Sequence, residues 1–173
     1  REKQQHQDML SQLNQLASQL ETLGVAEAAK QASRLTEMLN DFHDVIGNRF
    51  RGAQITSSSY MDVARRVQRL VMQNLSDMVA VARSVASINE SDTEQSKSAA
   101  DSEGQNHLQR RLDLATDQQS RLDYLTQDNR ALLTALAETS VEVANIQELD
   151  EFERTQALTR LRELADRAKQ YSA

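Results

Sequence analysis

From Val67 to Ile88 the chain repeats in alternating steps of four and three: Val67, Val71, Asn74, Met78, Val81, Val85 and Ile88. A seven-residue repeat of this kind holds one stripe against a neighbouring helix. Leu70 and Leu75 widen the stripe. The spacing predicts a helix over about 58–88 that forms the centre of a bundle. Asn74 falls on the apolar seam, where a polar residue sets register at some cost in stability. The serines before it supply a helix start, with Ser59 and Asp62 placed as the first and last members of a capping box.

Nothing in the chain competes with helix. There is no proline, four glycines are scattered over 173 residues, and aromatic residues make up 3 %. Sheets want β-branched and aromatic residues between frequent turns. Ala, Leu, Gln, Glu and Arg dominate instead, and all are good helix formers. The expected fold class is all-α, an antiparallel four-helix bundle with a coiled-coil-like helical extension, about five helices in total. An aliphatic core suits seam-to-seam packing.

The first helix is predicted over 4–23, with Met9, Leu13, Leu16, Leu20 and Leu23 at four-three spacing. That face reads either as a zipper for a partner or second copy, or as an intramolecular packing stripe. After Gly24 the stripe resumes at Ala28, Ala32, Leu35, Leu39, Phe42 and Ile46, shifted by one residue. Gly24 therefore marks either a kink or a reversal. The second helix ends in Gly47–Gly52, with Arg49 and Arg51 suited to a helix C-terminus and Phe50 placed to seal the bundle end.

Residues 89–104 carry Ser, Asp, Glu and Gln without Leu, Val or Phe, so they have little apolar surface to offset ordering. They are expected to form a disordered acidic loop. A fourth helix over 105–146 points Leu108, Arg111, Ala115, Gln118, Leu122, Leu125, Asn129, Leu132, Leu136, Thr139, Val143 and Ile146 inward. Asp150 and Glu153 fit a capping box that opens a fifth helix.

These lengths divide the chain into an N-terminal amphipathic helix, 1–24, and a bundle, 25–173, built from helices two, three, five and the lower part of four. If Gly24 is a kink, Met9, Leu13, Leu16 and Leu20 lie antiparallel on Leu108, Leu112 and Ala115, and 1–24 forms a stalk with 105–119. Met9, Leu13, Leu16, Leu20, Leu108 and Leu112 are then the candidate partner-binding residues.

Charge and motif content narrow the function. A net charge of −6 offers no basic footprint for nucleic acid or anionic membranes. No apolar run approaches the roughly 20 residues of a membrane span. The chain has no cysteine, which excludes disulfides and thiol chemistry and suits a reducing compartment, so a cytoplasmic location is expected. The chain opens on Arg1, which leaves room upstream for a targeting, membrane or catalytic segment. No glycine-rich phosphate loop, catalytic triad or paired Glu-x-x-His signature occurs. Neither the Asp41-Phe42-His43-Asp44 cluster nor Glu103 with His107 makes a metal site by itself, and no cofactor is expected. Asp123 with Gln127, and Glu142 with Asn145, place an acid and an amide on one helix, as helical response-regulator phosphatases do.

The leading expectation is a non-enzymatic scaffold, adaptor or assembly component that acts through protein contacts and can form homo-oligomers. Its alternative is a helical sensory or regulatory domain of a larger signalling protein, with a pocket near Asn74 and Asn129. A phosphatase-like helical enzyme is the weaker third reading.

Overall fold

The computed structural model describes residues 1–50, 54–95, 102–145 and 151–171. Five α-helices follow in order: α1 Glu2–Thr22, α2 Ala26–Arg49, α3 Gln54–Gln95, α4 Ser102–Asn145 and α5 Glu151–Tyr171. No strand occurs among the described residues. The all-α helical bundle is the fold that composition and periodicity require. α3 and α4, at 42 and 44 residues, are each about 65 Å long and lie antiparallel, so they form its spine.

Packing follows a simple rule. α1 touches α2 and α3; α2 also touches α3 and α4; α5 touches α3 and α4. Among the described residues α1 meets neither α4 nor α5, and α2 does not meet α5. The bundle is thus a strip of three overlapping helix triangles, and α3 alone touches all four other helices. α1 and α2 lean on one side of the spine and α5 on another.

The turn at Gly24 explains where α1 goes. Val25 N–H donates to Leu20 O at 2.9 Å and Gly24 N–H to Glu21 O at 3.1 Å. Gly24 has φ +79, the left-handed conformation that closes a helix and reverses the chain. Gly24 is therefore a reversal, and α1 folds back along α2. This corrects the stalk: the first helix does not project beside 105–119, because its leucines find α2 and α3 first. Leu13 and Leu20 are 1 % and 0 % exposed, and Met9 and Leu16 are half-buried against the same core. Burying one such leucine contributes about 1.5–3 kcal/mol, more than a bare two-helix stalk offers.

A helical extension does exist, made by different segments. α3 continues to Gln95 and α4 starts at Ser102. Residues 89–95 and 102–104, expected in a disordered loop, are therefore helical, while 96–101 lie outside the described residues. Gln118 Nε2 donates to Ser84 Oγ at 3.2 Å, which places these two residues opposite each other across the spine. The partner of 105–119 is the end of α3.

α3 also starts earlier than its serines suggest. Its helix begins at Gln54, so Ser59 is internal and Asp62 pairs with Arg65 at 3.4 Å instead of capping. Asp150, the other capping candidate, lies outside the described residues. Phe50 is buried and stacks on Tyr60 with ring centroids 5.4 Å apart, which ties the end of α2 to the start of α3.

Candidate functional site

Two features stand out from the aliphatic packing: a buried layer of amides and an arm formed by two helices alone.

The amide layer lies where α2, α3 and α4 meet. Asn74 Nδ2 donates to Asn129 Oδ1 at 2.9 Å and to Asp128 Oδ2 at 2.7 Å. Asn129 Nδ2 donates to Gln31 Oε1 at 3.2 Å, and Gln31 Nε2 donates to Thr126 O at 3.0 Å. Asn74, Asn129 and Gln31 are 3 %, 0 % and 4 % exposed. Asn129 and Gln31 each give and receive, and Asn74 gives twice, so these bonds offset much of the burial cost of the amides. Asn74 and Asn129 follow from the seven-residue pattern. Gln31 does not, because it stands beside the stripe. The small Ala28 and Ala32 on either side let α4 approach closely enough for its amide to reach Asn129. The pocket expected near Asn74 and Asn129 is filled by this hydrogen-bonded cluster.

An open groove of about 720 Å³ lies instead between α1 and α3. Gln12, Gln15 and Gln19 line one wall, Arg69 and Gln73 the other. Gln68 Nε2 and the Met9 sulfur meet between them.

The arm comprises residues 84–95 of α3 and 102–118 of α4. α2 begins near Arg130, where Glu27 Oε1 accepts from Arg130 Nη2 at 3.0 Å, a dozen residues below the arm. α5 is fixed still further down by Arg66 with Asp166, and by Arg160 with Glu142 at 3.0 Å. With two helices only, the seam residues Val85, Ile88, Leu108, Arg111, Ala115 and Gln118 stay half-buried. Where a third helix joins, Leu122, Leu125, Asn129, Leu132 and Leu136 are buried. Leu112 and Leu114 are 55 % and 56 % exposed. Two residues apart, they stand about 200° apart around the helix and so serve opposite sides of the arm.

The candidate partner-binding residues therefore divide. Met9, Leu13, Leu16 and Leu20 pack inside the chain, and the stripe an assembly helix would expose is used against α2 and α3. Leu108 and Leu112 lie on the arm, where Leu108 is half-buried and Leu112 exposed. Sequence reasoning passed over Leu114, although a leucine between the seam positions Arg111 and Gln118 is the signal for an apolar residue with nothing to cover it.

The remaining candidates are engaged elsewhere. Gln119 Nε2 donates to Asp123 at 3.2 Å, and Glu142 accepts from Arg160. Near the start of α3, Arg65 and Arg66, two cations that could otherwise meet an acidic partner, pair with Asp62 and Asp166. No group of three His, Asp or Glu that could hold a metal ion occurs among the described residues. No described helix is long and apolar enough to cross a membrane. Comparison with known protein families, with curated proteins and with solved structures finds no match to the chain.

Proposed function

We propose that the chain is a helical scaffold or assembly component that acts through protein contacts, with the α3–α4 arm as its contact surface. The observation that carries this reading is the exposure of Leu112 and Leu114 on opposite sides of a two-helix arm whose seam is itself only half-buried. An apolar side chain left in water forgoes about 1.5–3 kcal/mol that a covering helix would return. A helix laid along either side completes the triangle found in the rest of the bundle. A cytoplasmic setting suits a module of this kind with no cysteine.

A photo-crosslinking residue placed in turn at 112, 114 and 141 tests this in the native host. Val141 is 59 % exposed on the same helix but outside the arm, and serves as the control. Adducts at 112 or 114 that excess purified chain competes away, and none at 141, are expected. Equal labelling at all three positions, or none at 112 and 114, overturns the reading.

The sensory alternative draws on the glutamine-lined groove between α1 and α3, which offers a small polar molecule several amide donors and acceptors. It predicts that a bound molecule perturbs the side-chain amides of Gln15 and Gln73 but not those of Asn74 and Asn129, as measured by NMR.

A further inference from the structure

We infer that the occupant of the Leu114 side of the arm is a second copy of this chain, with the two α4 helices antiparallel about a two-fold axis. This rests on the reading of the arm as a contact surface. Glu103, His107, Arg110, Leu114, Asp117 and Arg121 follow steps of four and three and form one exposed stripe along α4. Within the chain, Glu103, His107, Arg110 and Asp117 make no ion pair or side-chain hydrogen bond among the described residues, whereas Arg121 only caps the Tyr124 ring at 5.8 Å.

The stripe is complementary to itself when reversed. An antiparallel two-fold at the level of residue 112 brings Glu103, nine positions before the axis, opposite Arg121, nine positions after it. His107 comes opposite Asp117, and Arg110 lays its aliphatic stem beside Leu114. On the flanks the two-fold brings Arg111 towards its own copy on one side and Asp113 towards its own copy on the other. Within the stripe no like charges face one another in this register, and each pair occurs twice because an isologous contact repeats every interaction. Sliding by one heptad in one direction sets Arg110 opposite Arg121, and that like pair penalises the shifted register. The overlap, from 103 to 121, is about 27 Å long. It ends about nine residues short of Arg130, where α2 begins, so the two bundles lie beyond opposite ends of the paired arms.

Light scattering coupled to size exclusion, on wild type and four variants, tests the inference. Wild type is expected to dimerise at roughly 100 µM chain. Leu114→Glu is expected to remain monomeric. Glu103→Arg and Arg121→Glu each create two like pairs and are expected to weaken the dimer roughly tenfold. The double reversal Glu103→Arg with Arg121→Glu restores both pairs across the axis and is expected to recover the dimer. All three positions are exposed, and unchanged circular dichroism confirms that folding is not the cause. A monomeric wild type, or a dimer indifferent to Leu114→Glu, overturns the inference, as does a double variant weaker than both singles. If wild type is monomeric while crosslinks to other proteins persist at 112 or 114, the second copy is excluded and the arm remains a contact surface. If both are absent, both readings fall.

Discussion

Asn74 and Asn129 join across the centre of the spine, Nδ2 to Oδ1 at 2.9 Å, with Gln31 closing the layer from α2. Three helices thereby share one polar register mark inside an aliphatic seam. A slip of α3 against α4 by one helical turn would leave these amides against leucine and valine.

Asn129→Ala removes the group that links Asn74 to Gln31. Both amides then lose a partner while buried, at about 1–3 kcal/mol each. A loss of about 2–4 kcal/mol is expected in urea unfolding. Replacing Asn74, Asn129 and Gln31 together by leucine is expected to retain or raise stability, because no buried amide is stranded. A small loss for Asn129→Ala would show that the layer does not hold the helices together.

Gly24 and Gly47 separate backbone strain from packing. A methyl group at either position meets nothing within 4 Å. Gly24→Ala must nevertheless hold a left-handed backbone, at a cost of about 1–2 kcal/mol. Gly47→Ala sits inside α2 with ordinary helical backbone and is expected to gain up to about 1 kcal/mol. Opposite shifts of the urea midpoint check the pair.

The fate of α1 makes Leu20 and Leu112 unlike residues despite their common type. Leu20→Ala opens a cavity at a fully buried site and is expected to cost about 2–5 kcal/mol. Leu112→Ala, on the exposed arm, is expected to change stability by less than about 0.5 kcal/mol. Thermal melts of the two variants distinguish them directly.

Deletion of residues 1–24 extends that argument. It uncovers the faces of α2 and α3 that hold Leu13 and Leu20, two burials worth about 3–6 kcal/mol together. The shortened chain is expected to melt earlier and to bind a hydrophobic dye. A shortened chain as stable as the whole would mean that α1 contributes no net packing.

The seam residues were legible in the sequence because burial follows period. Every residue on the predicted stripe of α2 is buried, and on α4 the stripe runs from half-buried Leu108 to buried Val143 as neighbours are added. The direction of α1 was not legible. Its stripe suits any apolar face, and only the backbone at Gly24 decides which one it meets. The length of α3 was hidden for a related reason. Residues 89–95 have almost no apolar content, and their helix continues one already held by packing upstream, where propagation is far cheaper than nucleation. Gln31 was missed because reach depends on the alanines around it, and Leu114 because a stripe search discards what lies off the stripe.

The strip of triangles carries a consequence for communication and for folding. Among the described residues, every contact between helices joins ones that are one or two places apart in the chain. Such local topology favours fast folding that can spread along the chain, as in repeat arrays. It also means that α1 and α5 share no surface among the described residues. Any perturbation felt at one of them can reach the other only by way of the α3–α4 spine.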